Sequence, residues 1–261
     1  MANYHNKDQL RSADAYYKDE EDYAILEAGM VQDVRGDVAV AEDMEKALRL
    51  GFIRKVYGIL SLQLLMTAAV ATVCVANDTV RNGILDNLWT VWVGFGLSIG
   101  VLVALLCYRE KYPLNMYLLA FWTFVEAYTI GVVCATYATV GQGYIVIQAA
   151  ALTLAVFLGL TIFTFQTKID FSFLGGALFA GLWILLLWGL VSAIFGYQQG
   201  YLYSLGGAII FSLYILYDTS QLMHHLSYDE YIVASISLYL DIINLFLYTL
   251  RILSLLANRN N

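Results

Sequence analysis

Seven long apolar segments, separated by short polar stretches, dominate the chain after its first fifty residues. They lie at approximately residues 56–76, 88–108, 114–136, 144–164, 174–195, 201–223 and 231–256. Each has about the 20 residues that a helix needs to cross a bilayer. The pattern predicts an all-α membrane protein, a bundle of seven transmembrane helices over residues 51–258. Residues 1–50 are polar and acidic with little apolar periodicity, which predicts a disordered tail.

Composition agrees with a membrane protein rather than a soluble one. Hydrophobic residues make up 60% of the 261, charged residues 13%, and the mean hydropathy is +0.66. A soluble domain of this size has too small a core to bury so much apolar surface. The first fifty residues hold twelve Asp and Glu against six Lys and Arg, so the tail carries −6 of the net charge of −7. No cleavable signal peptide is visible, and the first span is expected to direct insertion.

The basic residues of the loops predict the orientation of the bundle. Seven of them flank one set of ends: Lys46, Arg49, Arg54, Lys55, Arg109, Lys111 and Lys168. The opposite ends hold Arg81 and Arg259. Basic loops stay in the cytosol, so the N-terminus and the turn between the sixth and seventh spans are predicted to be cytosolic.

The last span carries a carboxylate at a depth where a charge is expensive. Asp241 lies about 15 Å along a helix that starts at Tyr231, near the middle of a hydrocarbon core about 30 Å thick. This span also contains Asn244 and Arg251, so it would insert poorly alone and is predicted to occupy the centre of the bundle. A re-entrant seventh segment is the alternative. An ionisable residue at this depth indicates a functional site with a partner.

Asp218 is the nearest candidate partner of Asp241. The sixth and seventh apolar segments are joined by a short polar turn, residues 224–230, and the midpoint between the two aspartates falls inside this turn, between Asp229 and Glu230. An antiparallel helical hairpin therefore brings them to comparable depth. Two carboxyl groups that meet in a low-dielectric interior cannot both ionise cheaply, so the pair holds one proton or binds a cation.

Two further charges have alternative interpretations. Glu126 lies within the third span and must face inward, either lining a cation path or forming a hydrogen bond that packs the bundle. Arg109 ends the second span. Its side chain either extends to water at the membrane surface or reaches inward to an ionised Asp218 or Asp241.

Other reactive side chains give no sign of catalysis. Cys74, Cys107 and Cys134 belong to different apolar segments, without the spacing of a metal site or redox motif, and are expected to pack in lipid-embedded helices. His224 and His225 are adjacent, so they point in different directions on a helix, and they are expected to cap the sixth span rather than bind metal. No enzyme activity and no cofactor are predicted.

Four motifs resemble the Bax-inhibitor-1 family of transmembrane Bax inhibitor motif proteins, closest to its Golgi anti-apoptotic, or lifeguard 4, branch. The resemblance covers roughly residues 50–256, in the family's order, and the acidic tail has no part in it. The motifs are residues 112–119 (YPLNMYLL), 163–172 (FTFQTKIDFS), 215–219 (ILYDT) and 236–246 (ISLYLDIINLF).

The resemblance implies a seven-helix bundle with the last helix central, acting as a pH-sensitive calcium leak that lowers stored calcium and restrains apoptosis. It implies that Asp218 and Asp241 form a di-aspartyl pH sensor in the ion pathway, and that Arg109 latches onto it in the closed state. Where bacterial relatives have an acidic residue in the second helix this chain has Ser98, and Glu126 is similar to a glutamate of the Golgi branch.

These observations favour a calcium leak of the Golgi or endoplasmic reticulum, with calcium and protons as ligands. Asp218 and Asp241, with Asn244 and backbone carbonyls, would bind calcium transiently because the ion prefers several oxygen ligands. The alternative is a membrane scaffold that regulates cell death through protein partners without conducting ions. Cell-death regulators and calcium-release channels are candidate partners beside the lipid bilayer, and nucleic acid is not one.

Overall fold

The computed structural model describes the backbone of residues 5–259 and the side chains of residues 38–259. The chain divides into two compact units, Met1–Gly51 and Phe52–Asn261. The sequence predicts that residues 1–50 form a disordered tail. Side chains are described only from residue 38, so most of this tail lies outside them. The backbone of the tail from His5 onward belongs to helix α1. The helices are α1 (His5–Ala76), α2 (Asp78–Asp86), α3 (Trp89–Tyr108), α4 (Leu114–Thr139), α5 (Gly143–Gln166), a 3₁₀ helix (Phe171–Leu174), α6 (Gly175–Phe195), α7 (Tyr201–His224) and α8 (Tyr231–Arg259).

Seven helical stretches of the described chain are long and apolar enough to cross a membrane, which confirms the predicted all-α bundle. The first is Val38–Ala76, the fifth joins the 3₁₀ helix to α6 as Phe171–Phe195, and the others coincide with α3, α4, α5, α7 and α8. The ends of the other six agree with the predicted segments to within a few residues, because charged and turn residues bound each apolar run. The first begins 18 residues before the predicted segment because α1 continues without a break from the polar tail into the span.

Helix α8 is the central helix, and it spans rather than re-enters. Its 29 residues form one continuous helix, about 43 Å long at 1.5 Å per residue. Around it, the Tyr239 hydroxyl shares a hydrogen bond of 2.8 Å with Thr67 of α1, and the Tyr239 ring packs edge-on to Trp122 of α4. Ser254 donates to Gln142 at the start of α5, and Tyr248 donates to Tyr203 of α7.

The packing of α7 on α8 depends on one glycine. A Cβ atom at Gly207 would lie 2.4 Å from the nearest ring carbon of Tyr248. Only a residue without a side chain allows the aromatic ring to rest on the α7 backbone at this point. The two helices that carry Asp218 and Asp241 are therefore held close together.

A short helix, α2, lies between the first two spans and has no counterpart in the predicted segments. The Asn77 side chain caps its start by accepting a hydrogen bond of 3.1 Å from the Val80 backbone N–H. The Arg81 side chain pairs with Asp78, which lies one turn before it in the helix. Nine residues are too few to cross a bilayer, so α2 is a connector and leaves the count of spans unchanged.

Candidate functional site

The α7–α8 hairpin brings the two predicted aspartates together. Asp218 lies six residues before the end of α7, and Asp241 lies ten residues after the start of α8. At 1.5 Å per residue these positions are about 9 Å and 15 Å from the same end of the hairpin. Their carboxyl groups are within hydrogen-bonding reach of each other. This is the contact that the spacing about residues 224–230 predicts.

The surroundings of the pair are poor in compensating charge. The Asp241 side chain is only 5% exposed, and no donor in the described part of the chain reaches its Oδ2 atom. Carboxyl groups in contact at such a place repel each other unless a proton or a cation lies between them. The arrangement can therefore hold a shared proton or bind a cation transiently.

Tyr214 is a third member of this site that sequence reasoning missed. It lies one turn before Asp218 on α7, close enough to both aspartates to interact with them electrostatically. The spacing of four residues is a signal in the sequence, since positions i and i+4 share one face of a helix. Tyrosines are too common in this chain for that signal to single one out.

Asn244, predicted to help bind calcium, is engaged within its own helix. Its Nδ2 atom donates to the Leu240 carbonyl at 2.8 Å. Its amide oxygen remains an acceptor, one turn along α8 from Asp241. Calcium takes six to eight oxygen ligands, so the pair with Asn244 supplies only part of a full shell. The described residues form no group of three or more His, Cys, Asp or Glu side chains suited to a metal ion.

Arg109 lies away from the aspartate pair in this conformation. It follows the last residue of α3, is exposed, and its Nε atom lies 3.6 Å from Glu110 Oε1. It lines a cavity of about 200 Å³ whose other walls include Ser227, Asp229 and Glu230, in the turn between α7 and α8. The guanidinium is thus beside the hairpin turn, and its predicted role as a latch stays a prediction.

Glu126 forms a hydrogen bond between two helices. The Ser98 hydroxyl of α3 donates to its Oε1 atom, and Ser98 in turn accepts the Trp122 indole N–H at 3.1 Å. The third span therefore brings a carboxylate to Ser98 of the second span. This contact is the packing role predicted for Glu126, and it leaves the pore role open.

Buried polar contacts join this part of the bundle to α1 and α8. Gln63 of α1 donates to Thr123 of α4 at 3.0 Å, and Thr67 bonds to Tyr239 of α8, whose ring meets Trp122. Polar groups inside a membrane bundle are stabilised only when they find such partners. The sequence shows these residues inside apolar segments but does not indicate which of them meet.

A second polar cluster lies at the end of α7, where Asp170 and His225 are just outside the spans. His225 Nε2 is 2.7 Å from Asp170 Oδ2, while Ser220 donates to Asp170 Oδ1 at 3.0 Å and accepts the Phe171 backbone N–H. The backbone N–H of Ser172, followed by the His225 side chain, holds the pKa of the Asp170 carboxyl well below its usual range. His224 bonds to the Ser220 carbonyl. The two histidines thus end α7, as predicted, and His225 also ties it to the segment before α6.

Several known proteins are similar in sequence to this chain over most of its length. A sequence model of the family described as "Inhibitor of apoptosis-promoting Bax1" matches residues 49–261. The chain is 45% identical over 207 residues to the Golgi anti-apoptotic protein of vaccinia virus (strain Lister), covering 79% of this chain and 86% of the viral one. It is 43% identical over 208 residues to protein lifeguard 4 of Mus musculus, covering 79% and 85%. A BI1-like protein of Arabidopsis thaliana is 43% identical over 219 residues, covering 80% and 82%.

Proposed function

This chain belongs to the family of inhibitors of apoptosis-promoting Bax1, and we propose that it is a pH-sensitive calcium leak channel of intracellular membranes. Membership of that family makes it an anti-apoptotic membrane protein. The proposal adds that it restrains apoptosis by lowering stored calcium. The names of the viral and mouse relatives favour the Golgi as its location, with the endoplasmic reticulum as the alternative.

The observation that carries the proposal is the contact between Asp218 and Asp241 inside the bundle. A pair of acids of which one is buried and the other half-buried responds to pH, because adding or removing one proton changes its charge by one unit in a low-dielectric place. An element that has two arrangements shifts between them when such a charge changes. The α7–α8 hairpin is the element on which this change acts.

In the proposed closed state, the pair shares a proton or attracts Arg109, and the hairpin packs against α3, the second span, and closes the predicted cytosolic mouth. When the pair gains or loses a proton, its attraction for Arg109 changes. The fraction of molecules in the closed state changes with it. In the open state the ionised carboxylates attract calcium into the pathway, and their few oxygen ligands let the ion leave again.

The proposal is tested by measuring calcium flux in liposomes. Purified wild-type protein, the Asp218→Asn, Asp241→Asn double variant and Asp86→Asn are reconstituted into liposomes loaded with a calcium dye, and calcium entry is followed across a pH series. We expect the wild type and Asp86→Asn to leak calcium with the same pH dependence, since Asp86 ends the connector α2. The double variant should lose the pH dependence because it has no titratable pair.

Two results would contradict the proposal. Unchanged flux and pH response in the double variant would show that the pair is not the sensor. Absence of flux through well-folded wild type would favour the scaffold alternative, in which the acidic tail and loops recruit partners. Under that alternative, deletion of residues 1–45 should abolish protection of cells from apoptosis, while the double variant should retain it.

A further inference from the structure

One side chain, Asn115, ties the end of α3 to the start of α8. Asn115 is the second residue of α4, and its Nδ2 atom donates to the Arg109 carbonyl at 2.7 Å and to the Tyr231 hydroxyl at 3.1 Å. Arg109 directly follows α3, and Tyr231 is the first residue of α8. The ends of three membrane spans therefore meet at one amide group.

Both hydrogen bonds of the Asn115 side chain leave its own helix. An asparagine that caps a helix accepts a backbone N–H of that helix through its side-chain oxygen, whereas the Asn115 Oδ1 atom finds no donor among the described residues. The side chain is 1% exposed, so water cannot replace a lost partner. Because a buried donor is costly to leave unpaired, these two bonds fix the position of the amide.

The two partners of Asn115 are held in different ways. The last carbonyl groups of a helix have no partner within that helix, and Asn115 satisfies the carbonyl of Arg109. The Tyr231 ring lies under the Lys55 ammonium group of α1, 3.1 Å from the ring centroid, an arrangement that attracts a cation to the ring face. The backbone of Arg109 is thus joined to an aromatic residue that α1 also holds.

The position of Arg109 beside the hairpin needs such a bond. Its guanidinium pairs with the neighbouring Glu110, which belongs to the same connection between α3 and α4 and so cannot fix that connection against α8. The side chain nevertheless lines a cavity together with Asp229 and Glu230 of the hairpin turn. The bridge through Asn115 joins the two sides of this cavity.

We propose that Asn115 is a positioning residue that keeps Arg109 beside the turn between α7 and α8. This inference rests on the proposed function, in which Arg109 restrains the hairpin in the closed state. Without the bridge, the end of α3 and the start of α8 move independently, and the guanidinium loses its fixed place next to the hairpin. Asn115 acts through Arg109, since its amide bonds to neither Asp218 nor Asp241.

Crosslinking tests the position without using calcium flux. Cysteines replace Glu110 and Asp229, two exposed residues that line the cavity beside Arg109. The exposed native thiol is removed by Cys107→Ala. The full-length protein in liposomes is treated with a short bis-maleimide, and the rate at which the crosslinked peptide pair forms is measured by mass spectrometry.

Three variants are compared in this background. Loss of one hydrogen bond shifts the equilibrium between joined and separated helix ends by about two- to tenfold. We therefore expect slower crosslinking in Tyr231→Phe, which lacks only the hydroxyl group, and in Asn115→Ala, which lacks both bonds. Tyr117→Phe, at a position of α4 that is 70% exposed, should crosslink like the parent protein. Size-exclusion chromatography checks folding, and Tyr231→Phe tests the bridge if Asn115→Ala does not fold.

Calcium flux then tests whether Asn115 acts through Arg109. Asn115→Ala and Tyr231→Phe should each raise flux at neutral pH, by about two- to tenfold for the single bond lost in Tyr231→Phe. In an Arg109→Gln background the same substitutions should add nothing, because the residue that the bridge positions has lost its charge. A residue that only stabilised the bundle would raise flux equally in both backgrounds.

Unchanged crosslinking in both bridge variants would overturn the proposal, and so would an equal rise of flux with and without the Arg109 charge. Failure of the calcium leak itself is a separate result. If folded wild type conducts no calcium, the leak is wrong, and the crosslinking rates alone decide the role of Asn115: slower crosslinking in the bridge variants supports it, and equal rates overturn it.

Discussion

Asp170 shows, at the scale of single residues, how an exposed carboxylate can hold two segments of a membrane protein together. It accepts hydrogen bonds from the Ser172 backbone and the Ser220 hydroxyl and pairs with His225, so one side chain ties the segment before α6 to the end of α7. These interactions favour its ionised form, which is why its pKa in the folded protein is lowered. A lowered pKa means that the carboxylate stabilises the fold.

This stabilisation has a predictable pH dependence. Because the folded pKa lies below the unfolded value of about 4, the contribution is fully present above that value and is lost as the pH falls through and below it. Asp170→Asn should therefore lower the apparent Tm in detergent at pH 7, and its difference from wild type should shrink between pH 5 and pH 3. Asp229→Asn, at an exposed position in the next turn, is the control. An equal loss of Tm at pH 7 and pH 3 would show that charge on Asp170 does not contribute.

Individual residues also show where sequence reasoning succeeds and where it fails. Asp218 and Asp241 could be paired in advance because a short turn fixes the register of the two helices that carry them. The contact of Asp170 with His225 joins residues 55 positions apart, and that of Ser98 with Glu126 depends on how α3 and α4 are rotated about their axes. Apolar segments that are hydrophobic all round carry little information about rotation, so such contacts come only from the structure.

At the scale of helix packing, the close approach of the Tyr248 ring to Gly207 leads to a prediction. Gly207→Ala would place a methyl group against the Tyr248 ring, so α7 and α8 would have to separate or the ring would have to move. Overpacking of this kind costs about 1–3 kcal/mol. We expect a lower apparent Tm for Gly207→Ala in detergent, and no loss for Gly206→Ala, where a Cβ atom meets open space. A Gly207→Ala protein as stable as wild type would show that the Tyr248 ring is free to move aside.

The helices themselves were largely predictable, since hydropathy and length identify spans whatever their packing. The re-entrant alternative for the last segment was rejected only by the unbroken helix from Tyr231 to Arg259. Its polar residues find partners that the sequence does not indicate: Arg251 donates to the side chain and backbone carbonyl of Gln199, in the connection between α6 and α7. Helix α2 escaped prediction because it is short and its ends are polar.

At the scale of the whole molecule, the question is how the ends of α3 and α4 are coupled to the α7–α8 hairpin. Arg109 lies beside the hairpin turn, in a cavity that it shares with Asp229 and Glu230. Lys55 of α1 lies 3.1 Å from the centroid of the Tyr231 ring, and Asn115 of α4 donates to the Tyr231 hydroxyl at 3.1 Å. The start of α8 is therefore held by two neighbouring helices, and Arg109 is the adjacent cation with an exposed side chain that can change partners.

If Arg109 acts as a latch, its charge must be needed to keep the leak closed. Arg109→Gln should then raise calcium flux in liposomes at neutral pH, where an ionised aspartate attracts the guanidinium, and the increase should disappear at acidic pH, where the carboxyls are protonated. Lys111→Gln removes a charge two residues away, from a side chain that lies over the Tyr108 ring, and should leave flux unchanged. Equal behaviour of the two variants would show that Arg109 only extends to water at the membrane surface. A pH-independent increase in Arg109→Gln alone would mean that the arginine closes the channel through Glu110 or the hairpin turn rather than through Asp218 and Asp241.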